Sequence, residues 1–172
     1  IKDHYIITSY LGKNFCTSKN VLGKYILTTK ERIFSNFVLT LSKRILYGIF
    51  KVIFLPKPDI IYSSSDILPD VLPAFFLKLK YVFSKNKPIW IVKVYHINQK
   101  SRIISYIAQC ISHFFIKRFS NRIITCGPNT KEDLIKKNFK QNNIFVVLPG
   151  IEHNMIIRAE KPNRKYDALY LG

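Results

Sequence analysis

Four histidines, three cysteines and ten carboxylates are the groups in this chain able to do acid–base, nucleophilic or metal chemistry. Their spacing excludes most familiar devices. Cys16, Cys110 and Cys126 are odd in number and widely spaced, with no CxxC and no paired histidines, so free thiols are expected rather than zinc or a disulfide framework. No GxGxxG, GxxxxGK[ST], HExxH or GxSxG run occurs, and no acidic pair is placed to hold a metal. His4 and His113 fall within a predicted strand and a predicted helix and read as structural or exposed, and His153 follows a turn. His96 is different. It closes the apolar run Pro88–Tyr95 (PIWIVKVY), and strand ends are where parallel α/β sheets meet their ligands. A strand-end histidine can also cap a helix, so position alone leaves both roles open. The serine run Ser63–Ser65 closes a second strand in the same way, and Asp66 or Asp70 after it can cap the helix that follows.

The elements that must position these groups follow from hydrophobic period and punctuation. His4–Leu11 and Lys24–Thr28 read as strands, and a helix follows at about 31–55, ended by Pro56 and Pro58. Asp59–Ser65 is a strand, and a helix then runs to about Ser84, with Pro69 and Pro73 expected around its first turn. Pro88–Tyr95, apolar at nearly every position, reads as a strand covered on both faces. Helix Ser101–Ser120, strand Arg122–Cys126, helix Lys131–Lys140, strand Asn143–Leu148 and the turn Pro149–Gly150 complete the series. Strand and helix alternate throughout, which predicts an α/β domain of Rossmann-like type, with a mostly parallel sheet and helices on both faces.

Charge narrows the partners. Lys and Arg number 28 against 10 Asp and Glu, a net charge of +18, and no acidic residue occurs between Val71 and Lys131. Such an excess predicts an anionic partner: nucleic acid, anionic lipid or a phosphate-bearing substrate. The aromatic residues follow core spacing and no helix-turn-helix, RRM or zinc-finger pattern accompanies them, so nucleic acid is disfavoured. Lys43, Arg44 and Lys51 interrupt the apolar stretch Ile33–Leu55, so a membrane-spanning helix is not expected there. That helix nevertheless has two apolar rows, one through Leu41, Ile45, Ile49 and Val52, the other through Leu39, Leu46, Phe50 and Ile53. Either it is buried between a sheet and neighbouring helices, or its second row rests on anionic lipid.

Five segments, in order, resemble a known family. They are PDIIYSSS (58–65), PIWIVKVYH (88–96), SNRIITCGPNTKEDL (120–134), NNIFVVLPGIEHN (142–154) and YDALYLG (166–172). Their order and spacing resemble the N-terminal half of a GT-B glycosyltransferase of the family-four, or group one, type. Asn121 stands where that family usually has Asp, Gly127 where it has Ser, and Glu152 where Asp or Asn is commoner. The resemblance implies that residues 1–165 form the acceptor-side domain, that 166–172 begin a nucleotide-sugar-binding domain, and that a first strand precedes Ile1. On that reading the 172 residues alone are inactive and the exposed sheet edges make them poorly soluble.

What the resemblance implies for chemistry is transfer of a sugar from a nucleotide-sugar to a glycan or lipid-linked acceptor, typically with retained configuration and without a metal. His96 would lie beside the transferred sugar, with Tyr95, Ile97 and Asn98 on the same rim. Ser63, Ser64, Ser65 and Asp66 would bond acceptor hydroxyls, unless the serines serve as helix caps. Pro149, Gly150, Ile151 and Glu152 would form a turn on the nucleotide side. The basic surface would dock on an anionic membrane, placing the protein in the cytoplasm, peripheral on the inner face of the membrane. Two other functions use the same fold: a binding module without turnover, and a nucleotide-sugar epimerase.

Overall fold

Each β-branched run and each longer amphipathic run becomes the element its period predicts, with a few informative exceptions. The computed structural model describes residues 4–29, 37–99 and 101–148. The order is β1 (Tyr5–Ser9), α1 (Tyr10–Ser18), β2 (Lys24–Thr29), α2 (Phe37–Ile53), β3 (Ile60–Ser63), α3 (Leu68–Lys80), β4 (Ile89–Val94), α4 (Ile103–Phe119), β5 (Arg122–Thr125), α5 (Pro128–Lys136) and β6 (Ile144–Val146). All strand pairs are parallel. They form two sheets, β1–β2 and β3–β4–β5–β6, so the chain is an α/β protein of Rossmann-like construction.

The core lies on one face of the four-stranded sheet. Registers Ile61↔Trp90, Val92↔Ile123 and Ile123↔Ile144 bring these side chains to one face of the sheet in two adjacent rows, buried against Val71, Ala74 and Leu77 of α3, Ile116 of α4 and Leu134 of α5. Val52 of α2 and, from the smaller sheet, Ile7 pack against the same cluster. Helix α3 joins its neighbours through specific contacts. Phe75 stacks on Phe115 and Phe119 of α4, with centroids 4.8 Å apart in both pairs, and Lys80 Nζ donates to the carbonyls of Ile53 and Leu55 at the end of α2. Asn121 Oδ1 accepts both the Trp90 N–H and Lys78 Nζ, which pins the start of β4 to α3.

Several expectations need correction. Strand β4 is not covered on both faces among the described residues: its outward row, beginning with Ile89, remains accessible, as do Ile60 and Tyr62 beside it. Apolar composition on both faces therefore did not report two-sided burial. The strand expected over His4–Leu11 ends at Ser9, and an unexpected helix, α1, starts at Tyr10, where the Ser9 hydroxyl accepts the Gly12 N–H. Neither Asp66 nor Asp70 is the N-cap of α3, which is Ile67. Pro73 lies inside α3 rather than in its first turn; its ring is buried against α2 at Gly48. Helix α5 begins at Pro128, a first-turn position that suits a residue with no N–H to donate.

Helix α2 packs one apolar row inward through Val52, while Leu46, Phe50 and Ile53 of its second row are exposed. No described helix is long and apolar enough to cross a membrane. The turn Pro149, Gly150, Ile151 and Glu152, His153, and the strand expected at 166–172 lie outside the described residues.

Candidate functional site

Parallel pairing brings the C-terminal ends of β3, β4 and β5 to one edge, and the segments that follow them meet there. Ser64–Asp66 leave β3, Tyr95–Asn98 leave β4, and Cys126–Thr130 leave β5 and enter α5. This edge is the place where ligands of open α/β sheets are bound.

A buried polar network organises it. Asp66 is only 6% exposed, and its Oδ2 accepts Nε2–H of Gln109 at 2.8 Å and Nε2 of His113 at 3.0 Å. Both partners come from α4, one turn apart on its inward side, and both are buried. A carboxylate removed from water needs such donors, because an unpaired one would cost several kcal/mol. Phe139 presents its ring edge-on to His113, with centroids 5.5 Å apart, and His113 Nδ1 is buried without a partner.

Gln109 carries the network outward. Its Nε2 also donates to the carbonyl of His96, and its Oε1 accepts the backbone N–H of Asn98 at 2.8 Å. One carboxamide thus clamps the segment 96–98 to Asp66. The Asn98 side chain completes the clamp, since its Nδ2 donates to the carbonyl and hydroxyl of Ser105 in the first turn of α4. With Nδ2 turned to Ser105, Oδ1 faces His96 Nε2 at 3.1 Å, so that ring nitrogen must donate. The neutral His96 ring therefore carries its proton on Nε2, and Nδ1 is left as an acceptor on an exposed side chain.

The serines are turned toward α3. Ser64 and Ser65 hydroxyls donate to Asp70 Oδ2 at 3.0 and 2.7 Å, and Ser65 Oγ accepts the Ile67 N–H at 3.4 Å. Ser63 is buried, donating to the Asp70 carbonyl and accepting Nε1–H of Trp90. Asp70 in the first turn also suits the positive end of the helix dipole. These contacts are those of a helix start. Ser64, exposed, keeps lone pairs that face solvent at the sheet edge.

Tyr95 is exposed next to His96, and its carbonyl accepts the Thr130 hydroxyl at 3.3 Å, joining the β4 and β5 ends. Lys93 Nζ lies 4.6 Å from the Tyr95 ring centroid, and the contact with Tyr95 raises the Lys93 pKa above 10.5. Gly127 has extended backbone and open space where a Cβ would stand, so the Ser usual in the resembled family would fit. Among the described residues no group of three His, Cys, Asp or Glu is gathered for a metal.

The structure thus brings together His96, Tyr95, Asn98, Ser64, Ser65 and Asp66, while Pro149, Gly150 and Glu152 fall outside the described residues. Gln109 is not singled out by the sequence, whereas His113, read there as structural or exposed, is structural and buried. The sequence signal is spacing: Gln109, Ser112, His113 and Ile116 stand at i, i+3, i+4 and i+7 and so share one side of α4, the side the structure buries. No protein-family model, curated protein or solved structure matches the chain.

Proposed function

We propose that this chain is the acceptor-side half of a glycosyltransferase that moves a sugar from a nucleotide-sugar to a glycan or lipid-linked acceptor. The observation that carries the reading is the clamped His96. Its carbonyl, its Nε2 and the neighbouring Asn98 N–H are all held by a network rooted in buried Asp66, which leaves Nδ1 free at the sheet edge. A lone pair fixed in this way can accept a sugar hydroxyl and orient it beside the reacting carbon, at little cost in side-chain entropy when substrate arrives. Tyr95 offers an apolar wall and Ser64 a hydrogen-bonding rim beside it. The order of the resembling segments supports the same assignment. In this reading the donor diphosphate is held by residues beyond those described, and closure around it excludes water, which limits hydrolysis.

The test is turnover by protein expressed from its full reading frame, supplied with a panel of radiolabelled nucleotide-sugars and a lipid or oligosaccharide acceptor. Transfer is expected, and His96→Ala should lower kcat about 10²-fold or more while leaving the unfolding midpoint unchanged. Interconversion of the nucleotide-sugars without transfer would indicate an epimerase instead. Binding with neither reaction would indicate a binding module and overturn the enzymatic reading.

A further inference from the structure

Strand residues that turn away from the core leave one face of the four-stranded sheet open. Alternation buries Ile61, Trp90, Val92 and Ile123 under the helices and sends their neighbours to the opposite side. There Tyr62 of β3 is 54% exposed, and Tyr95, just beyond β4, and Phe145 of β6 are each 47% exposed. Two cations stand among these rings. Lys93 Nζ is 4.6 Å from the Tyr95 centroid, and the Arg122 guanidinium is 5.8 Å from that of Phe145. No Asp or Glu occupies an outward position of β3, β4, β5 or β6. The spacing of the aromatic residues suggests burial, but the fold holds three of them in solvent beside positive charge, which removes that ground for setting nucleic acid aside.

We infer that this face binds single-stranded nucleic acid, with bases stacked on Tyr62, Tyr95 and Phe145 and phosphates paired with Lys93 and Arg122. Parallel sheets are ordinarily covered on both faces, so an open one calls for an occupant. The chemistry of the face selects which. A second copy of the chain would set Lys93 and Arg122 against their own like charges and bring a further +18. An apolar helix from a partner protein would bury the two cations without a counter-charge. A single strand supplies both things that the face can bind: flat bases for the aromatic rings, and a phosphate at each step for the cations. A duplex does not, because its bases are already stacked on one another. Strands β3 and β6 are three spacings of about 4.8 Å apart, about 14 Å, so a few nucleotides reach from Tyr62 to Phe145. The inference stands without the transferase reading, because neither sugar nor turnover enters it.

The full chain is titrated into fluorescein-labelled oligouridylate and oligothymidylate of about twelve nucleotides, and into a duplex of the same length, with anisotropy as the readout. Expected is binding to the single strands that weakens as salt rises, and weaker binding to the duplex at the same salt. The tighter of the two single strands identifies the polymer as RNA or DNA. Tyr62→Ala and Phe145→Ala should each weaken single-strand binding about tenfold, whereas Tyr62→Phe, which keeps the ring, should hold it within about twofold. Both side chains are exposed, so the melting temperature near neutral pH should hold. Lys93→Gln should lower the slope of log affinity against log salt by about 0.7, while Lys13→Gln, exposed on α1, should leave slope and affinity unchanged. A fluorescent aminopurine within the strand should be quenched by the unaltered chain and not by Y62A/F145A, a sign of stacking that charge alone does not give. Salt-sensitive binding that ignores both alanines, or duplex binding as tight as single-strand binding, would overturn the inference. Absence of binding would also overturn it and give the face to a protein layer. So would a dimer in sedimentation velocity that the same alanines dissociate, which would assign the face to a second copy.

Discussion

Replacing Gln109 by Leu should release the His96 segment while leaving the core filled. Leu has similar volume, so the cavity cost is small, and the loss is of three hydrogen bonds: to Asp66 Oδ2, to the His96 carbonyl and from the Asn98 N–H. A bond to a charged group is worth roughly 1.5–3 kcal/mol and each neutral one roughly 0.5–1.5 kcal/mol. Burying a leucine in place of an amide returns roughly 1–2 kcal/mol of transfer free energy. The net destabilisation should be about 2–4 kcal/mol, large against a domain stability of about 5–15 kcal/mol. Urea unfolding followed by circular dichroism measures it, with the slope unchanged if only the native state is affected. Hydrogen exchange locates it: the Asn98 amide, protected by Gln109 Oε1, should exchange much faster in the variant. A stability change under about 1 kcal/mol together with unaltered protection at Asn98 would refute the idea that this carboxamide holds the segment.

Two further outcomes test other parts of the fold. Gly48→Ala should destabilise by about 1–2 kcal/mol in thermal unfolding, because the added Cβ would stand 2.7 Å from Pro73 Cγ, whereas an uncrowded helical site would gain about 1 kcal/mol; a stabilised variant would show that α2 and α3 are not in contact there. Burial raises the pKa of Tyr62 above 10.0 and the Tyr95 contact raises that of Lys93 above 10.5, so both groups contribute stability that is full below those values and lost as pH rises through the shifted ones. Lys78, whose pKa burial lowers, acts in the opposite sense. The fall in melting temperature from pH 9 to pH 11 should therefore be shallower in Tyr62→Phe/Lys93→Met than in the unaltered chain, and an equal or steeper fall would contradict the assignment.

How much of this protein could be read in advance depends on how local the deciding physics is. Strands β3, β4, β5 and β6 and helices α2 and α4 were legible because their apolar period exceeds anything a loop produces, and alternation of strand with helix demands parallel pairing. His96 was legible for the same reason, since a strand end in a parallel sheet is a position in sequence as well as in space. Helix α1 escaped because it buries nothing and only its Ser9 cap announces it. Pro73 was misplaced because a proline within a helix is tolerated only where a neighbour gives it room, here Gly48, 25 positions earlier.

The composition of the chain, its periodicity and its strand ends were enough to determine an α/β fold with one histidine at the ligand-binding edge. Tertiary structure alone decided what holds that histidine, because Asp66 lies 43 positions before Gln109 and 47 before His113 and meets them only when α4 packs beside α3. It also decided which side of α4 meets solvent. An apolar stripe and a polar stripe on one helix specify two faces but not their direction, and here buried Asp66 required the polar one, so Ile103, Ile104, Ile107 and Ile111 were left outside.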